Sequence, residues 1–230
     1  MIIKGLQKLT LLDFPGQVAC TLFTGGCNFR CPFCHNASLV ISPDDVEEYS
    51  EEEILDFLKK RIGILDGVAI TGGEPLLQKD IYEFMSKIRA MGYKIKLDTN
   101  GSFPHKLKEI VKAELCDYVA LDVKNSPRRY AETVGIKDYQ AEKIAESVKF
   151  LMESGVDYEF RTTIVSELHS EEDIEEIGRW IQGAKRWYLQ NFVDSGALIC
   201  PNLSGADKET MEKYLSLARK YVPEAELRGL

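Results

Sequence analysis

Apolar positions along the chain follow two different periods in turn. Residues 18–23 form an apolar run that reads as a buried strand, residues 67–71 a short apolar strand, and residues 93–97, 118–121, 157–165 and 186–192 read as further strands. Between them the apolar residues recur at helical spacing. Ile54, Leu55, Leu58 and Ile62 follow Ser50 and three glutamates, a capped and acidic helix start. Ile81, Phe84, Met85 and Ile88 form a second stripe that Gly92 closes. Residues 104–113, 139–154, 170–182 and 205–221 supply four more helices, the second closed by Gly155 and the third opened by Ser-Glu-Glu-Asp. About six strand-then-helix units in a row predict a parallel sheet, and right-handed crossovers would curl it into a partial barrel with outer helices. A flat doubly wound sheet is the structural alternative. Residues 1–17 read as a lead-in with a short strand at Ile2-Ile3 and a turn at Asp13-Phe14-Pro15-Gly16. Residues 125–137 read as a mobile loop. With no repeat or linker, one domain is expected over 1–230, its core at about 17–195 and its last helix at 205–221.

Composition narrows the class. A chain of 230 residues, 44% hydrophobic and 29% charged, can bury one core and suits a soluble protein. No apolar run approaches ~18 residues, so a membrane-spanning helix is not expected. The first residues lack a basic segment followed by an apolar one, so no secretory signal is expected. A cytoplasmic, reducing setting follows, where cysteines serve metals or catalysis more often than disulfides. A net charge of −8 argues against non-specific nucleic-acid binding, which needs a basic field.

Chemistry-bearing residues gather at the ends of strands. They are the cysteines of residues 24–36, then Gly72-Gly73-Glu74, then Asp98-Thr99-Asn100, then Asp122 with Lys124, then Arg161 with Thr162, and last Gln190 with Asn191. In parallel α/β folds, sites form where strands end. The first of these stretches reads Thr-Gly-Gly-Cys-Asn-Phe-Arg-Cys-Pro-Phe-Cys-His-Asn, with Cys27, Cys31 and Cys34 in the pattern C-x3-C-x2-C. Four readings compete. A zinc site would need His35 as fourth ligand, and the adjacent Cys34 and His35 fit tetrahedral geometry poorly. Cys31 to His35 also fits C-x-x-C-H haem attachment, which leaves Cys27 idle. A C-x-x-C redox pair does the same. A [4Fe–4S] cluster with three thiolates would leave one iron open. Cys20 and Cys116 read as small buried hydrophobes, and Cys200 as a late-loop residue with a free thiol. His105 and His169 read as ordinary surface residues at helix starts. Trp180, Trp187 and Tyr188 read as packing.

These residues carry a resemblance. C-x3-C-x2-C after the first strand, with Phe33 before the last cysteine and Gly72-Gly73-Glu74-Pro75 after the second, resembles the radical S-adenosylmethionine superfamily. Leu11-Leu12-Asp13-Phe14-Pro15-Gly16, Cys34-His35-Asn36, Leu97-Asp98-Thr99-Asn100-Gly101 and Leu121-Asp122-Val123-Lys124 narrow it to the activating enzymes of glycyl radical enzymes. The group that activates anaerobic ribonucleoside-triphosphate reductase is nearest, and the pyruvate formate-lyase activators are related.

The resemblance implies a [4Fe–4S] cluster on Cys27, Cys31 and Cys34, with S-adenosylmethionine on the open iron. One-electron cleavage then gives methionine and a 5′-deoxyadenosyl radical, which takes a hydrogen from a glycine Cα of a partner enzyme. It places Phe33 near the adenine, Gly72 and Gly73 against the methionine moiety, and Glu74 near its amino group. Asp98, Thr99 and Asp122 match positions around a monovalent cation beside the carboxylate, with Asn100 next to them. Lys124 and Arg161 are candidate carboxylate partners. Gln190 stands where the pyruvate formate-lyase activators carry a ribose-binding histidine, in a stretch that departs from theirs. The implied partners are a glycyl radical enzyme and a flavodoxin or ferredoxin electron donor, with no nucleic acid and no membrane. Activation of another glycyl radical enzyme, or action on a small molecule in the manner of 7-carboxy-7-deazaguanine synthase, is the alternative. A non-catalytic iron–sulfur or zinc protein is a further one.

Overall fold

Eight strands follow one another in sheet order along the chain, β1-β2-β3-β4-β5-β6-β7-β8. They are seen in a computed structural model that describes residues 1–194, 196 and 198–229. The chain forms two compact units: Met1–Asn28, Ser38–Thr99 and His105–Ala120 in the first, and Phe29–Ala37, Asn100–Pro104 and Leu121–Leu230 in the second.

In the first unit, β1 (Ile3–Thr10) pairs antiparallel with β2 (Ala19–Thr24). β2 then pairs in parallel with β3 (Gly67–Gly72), and β3 with β4 (Lys94–Thr99). Most of their covered positions are apolar: Ala19, Cys20, Leu22, Val68, Ala69, Ile70, Ile95 and Leu97 are buried, with Thr21, Thr24, Lys96 and Thr99 the buried polar residues of β2 and β4. The short helix α1 (Ala37–Ile41) follows the cysteine loop. Helix α2 (Glu51–Lys59) begins at Ser50 in a full capping box, Ser50 accepting from the Glu53 amide while Glu53 accepts from the Ser50 amide. Helix α3 (Ile81–Ala90) buries all four residues of its predicted stripe. It stops before Gly92, whose φ of +90° only glycine adopts readily. Helix α4 (Pro104–Lys112) leads to β5 (Tyr118–Asp122).

In the second unit, β6 (Asp157–Ile164), β7 (Trp187–Asn191) and β8 (Ala225–Arg228) pair in parallel. Helices α5 (Tyr130–Val134), α6 (Glu142–Ser154), α7 (Glu171–Trp180) and α8 (Lys208–Ala218) belong to this unit. α6 ends on Gly155 as its pattern predicts, with φ of +81°.

The structure corrects the expectations in three places. The lead-in is an eight-residue strand rather than a short one, and it runs antiparallel. Gln7, Lys8 and Leu9 in its middle are exposed, and Gln7 and Lys8 interrupt the apolar pattern, so no apolar run announces it. Residues 125–137 are not a bare loop: they hold a 3-10 turn (Pro127–Arg129) and α5, with Asn125, Ser126, Tyr130, Thr133 and Val134 buried. A last strand, β8, follows the helix that the pattern took as final. No helix among the described residues is long and apolar enough to cross a membrane.

Candidate functional site

In the first unit, the chain entering the cysteine loop lies directly against the Gly-Gly-Glu turn. The Gly73 amide donates to the Thr24 carbonyl at 2.9 Å, and the Glu74 amide to the Gly26 carbonyl at 2.9 Å. A Cβ on Gly73 would stand 1.9 Å from the Gly26 oxygen, and one on Gly72 would stand 2.2 Å from the Thr24 nitrogen. Gly72 also has φ of +118°. The space kept free by these two glycines is therefore used by the cysteine-loop backbone itself. Gly26 in turn donates to the Leu39 carbonyl at 2.7 Å, which returns the far side of the loop to α1. Half-buried Cys27 follows Gly26.

Glu74 is fully buried. Its Oε1 accepts from the Leu76 amide at 3.0 Å and from the Thr99 hydroxyl at 2.8 Å, so it joins the end of β3 to the end of β4. Asp98, one residue before Thr99, forms an ion pair with the buried Lys96. Lys96 was not singled out in the sequence: it occupies a strand position that hydropathy reads as one more solvated lysine.

In the second unit, the rest of the cysteine loop is anchored at several points. The Arg30 amide donates to the Val134 carbonyl at 2.8 Å, and a Cβ on Gly135 would stand 2.3 Å from the Arg30 oxygen. Phe29 meets Tyr139 edge-on at 5.0 Å, and Tyr139 stacks on Tyr130 at 6.0 Å. Cys34 donates its amide to the Cys31 carbonyl at 3.0 Å, a tight turn that holds the C-x2-C pair. The Cys200 amide donates to the Pro32 carbonyl at 3.0 Å. Exposed His35 packs its ring against Phe192 at 5.3 Å. Burial lowers its pKa, Lys124 lowers it further, and Asp194 opposes them.

At the end of β5, Asp122 is gripped by two cations. Arg161 Nε donates to Oδ1 at 2.8 Å and Lys124 Nζ to Oδ2 at 2.8 Å. Burial would raise the Asp122 pKa, but the guanidinium and the ammonium outweigh it and bring it down to about 2. Burial works against the charge of Lys124 as well, yet Asp122 and Cys31 hold it protonated well above the usual lysine range. The Lys124 ammonium stands 5.9 Å over the ring of buried Phe33, between Cys31 and Cys34 in sequence. Buried Asn100 closes an Asx turn on the Ser102 amide at 2.9 Å. Half-buried Gln190 lies beside Thr163 of β6 and Arg228 of β8.

His169 is a correction: it is buried, not a surface residue. Its Nε2 lies 2.9 Å from the Lys124 carbonyl, and its Nδ1 accepts from the Val165 amide at 3.1 Å. It sits just before the N-cap Ser170, a position whose side chain commonly packs inward, and that signal could have found it. His105 is exposed, as expected. Cys20 and Cys116 are buried and pushed up to about 12, Cys116 with help from Asp117, so both are inert thiols; Cys200 is exposed.

Among the described residues, no three His, Cys, Asp or Glu groups stand together as a metal-holding set. The donor chemistry of the loop still suits an iron–sulfur cluster, because its ligating groups are thiols and its one imidazole rests on Phe192.

Comparison with known proteins agrees with this reading. The family model "Radical SAM superfamily" matches residues 21–181. A "putative glycyl-radical enzyme activating enzyme" of Methanocaldococcus jannaschii is 31% identical, covering 100% of this chain and 96% of its own. GTP 3′,8-cyclase of Helicobacter pylori is 34% identical over 66% of this chain, which spans 48% of the cyclase. The crystal structure of Streptococcus suis SuiB bound to S-adenosylmethionine has the same fold, with a TM-score of 0.69 at 16% identity over 89% of this chain and 48% of that one. By the extent of the family match and the full-length likeness to the Methanocaldococcus protein, this chain belongs to the radical SAM superfamily.

Proposed function

We propose that this protein is an activating enzyme that installs the radical of a glycyl radical enzyme, with anaerobic ribonucleoside-triphosphate reductase as the first candidate partner. The full-length similarity to a relative named for this activity carries the reading, since 96% of that relative is covered. Cys27, Cys31 and Cys34 hold a [4Fe–4S] cluster, and S-adenosylmethionine binds beside it. When bound, the reduced cluster would supply the one electron for reductive cleavage of S-adenosylmethionine, the chemistry from which hydrogen abstraction at the partner's glycine would follow. The protein's own residues bind and orient. Lys124 and Arg161 present positive charge to the carboxylate, and Asp122 fixes their direction through its two ion pairs. Phe33 offers an apolar face for the adenine, and Gln190 a polar group for the ribose. Gly72, Gly73 and Glu74, with Asp98, Thr99 and Asn100, shape the methionine end.

A monovalent cation beside Asp98, Thr99 and Asp122 belongs to the same proposal. The electron donor is a flavodoxin or ferredoxin, and the setting is cytoplasmic. The partial similarity to GTP 3′,8-cyclase favours one second reading, a small-molecule substrate.

The deciding experiment is anaerobic reconstitution with iron and sulfide, then reduction with S-adenosylmethionine and the candidate reductase. The expected result is a glycyl radical signal in electron paramagnetic resonance, with one 5′-deoxyadenosine per radical. Cofactor cleavage without a radical on any glycyl radical enzyme would leave the small-molecule reading. No cleavage at all, and no change of the reduced spectrum on adding S-adenosylmethionine, would sink both.

A further inference from the structure

The N-terminal end of α7 holds the segment that carries Lys124. His169 Nε2 faces the Lys124 carbonyl at 2.9 Å. Nδ1 lies between the Val165 amide at 3.1 Å and the Val165 carbonyl at 3.2 Å; burial favours the neutral ring, and the shorter Nε2 contact to a carbonyl takes its one proton, so Nδ1 accepts from the amide. The neighbouring bonds all run the same way. Asn125 Nδ2 donates to the Leu168 carbonyl at 2.8 Å and to Thr133 Oγ1 at 2.9 Å. Ser126 Oγ donates to Asp173 Oδ1 at 2.8 Å, and Arg129 to Asp173 Oδ2 at 3.1 Å. On its other side, the Lys124 amide is within 3.4 Å of the Tyr130 hydroxyl. Tyr214 of α8 donates to the His169 carbonyl at 2.9 Å and fixes the histidine in turn. The Lys124 backbone is thus held on both sides, and its side chain runs towards Asp122 and over Phe33.

We propose that His169 is a positioning residue for cosubstrate binding. Its Nε2–H holds the Lys124 carbonyl, and thereby aims the Lys124 ammonium at the carboxylate of S-adenosylmethionine. This rests on the reading of Lys124 as a carboxylate contact. The two ring nitrogens do separable jobs, which allows a test by shape. In His169→Gln, the amide nitrogen takes the place of Nε2 and keeps the Lys124 contact, while the Val165 acceptor is lost. In His169→Asn, the amide oxygen takes the place of Nδ1 and keeps the Val165 contact, while Lys124 is released.

Both variants are expected to lower the melting temperature. The KM for S-adenosylmethionine should rise about 5- to 10-fold in His169→Asn and stay within about twofold of wild type in His169→Gln, since one hydrogen bond is worth about 1 kcal/mol and ~1.4 kcal/mol is tenfold. Amide exchange on the cluster-free protein gives an independent readout: residues 124–126 should lose protection in His169→Asn, and Val165 in His169→Gln. If both variants raise KM equally, or neither does, while wild type cleaves the cosubstrate, positioning by His169 is wrong. Wild type that fails to cleave it overturns the radical SAM activity on which the proposal stands.

Discussion

Gly73 is the residue with the least room to change. Its missing Cβ is what lets the Gly26 carbonyl approach to accept from the Glu74 amide. Gly73→Ala should therefore push the cysteine loop off its seat, at a cost of at least about 1–3 kcal/mol by overpacking. The expected outcome is a lower melting temperature together with iron bound well below that of wild type, measured on reconstituted protein. A glycine needed only for ligand approach would lose affinity for S-adenosylmethionine and keep its iron. Asp122 offers a second residue-level test. Asp122→Asn keeps the shape but removes the charge that faces both Lys124 and Arg161. Affinity for S-adenosylmethionine should fall about 10-fold, read by titration of the reduced cluster's spectrum. At this scale the sequence picks out candidate residues without showing what they touch. Glu74 was legible as a candidate, but its bonds to Leu76 and Thr99 depend on the register of two strands. Lys96 and His169 were missed, because a lysine inside a strand and a histidine before a helix have the same letters when solvated and when buried.

At the level of elements, caps were legible and coverage was not. Ser50 and Ser170 each form the full capping box that their sequences announce. Ser50→Ala should cost about 1 kcal/mol in urea denaturation and leave any cosubstrate cleavage unchanged, since α2 carries no candidate site residue. The box at α7 does more. Its Asp173 is fully buried and, besides closing the cap, accepts from Ser126 and Arg129 and pairs with Arg128. Burial raises the Asp173 pKa, but the bonds from Ser170, Ser126 and Arg129 bring it below the usual carboxylate range. Asp173→Ala strands these partners and should cost about 3 kcal/mol, with residues 125–129 newly open to protease. That segment read as a mobile loop because it is rich in charge, serine and proline. Its order comes from a carboxylate more than forty residues later in the chain, which no local pattern reveals. The antiparallel β1 escaped for a related reason: its pairing with β2 is backbone work, and its exposed centre is polar.

For the whole molecule, the strand–helix alternation was enough to give the class of fold, and the ends of the strands were enough to give the candidate site. Two ion-paired acids contribute to how the protein answers pH. Asp122 falls to about 2 in the folded chain from an ordinary 3.8, and Asp173 is also lowered. Between those values the unfolded chain binds more protons than the folded one, so stability is complete above about pH 4 and declines as pH falls towards 2. Asp122 alone contributes about 2 kcal/mol to this decline. Acid titration of wild type and Asp122→Asn, followed by circular dichroism, should show a shallower slope in the variant.

Main-chain amides fasten the cysteine loop at several points. The bonds of Gly26, Arg30, Cys34 and Cys200 all use main-chain groups, and none needs a metal. Damage and repair follow from that. Air should strip iron from the protein and leave a folded shell, with its far-ultraviolet spectrum unaltered. Returning iron, sulfide and a reductant should then restore the starting absorbance through several rounds. Exposure to oxygen would be an injury from which each copy recovers, and the cell would be spared making a new one.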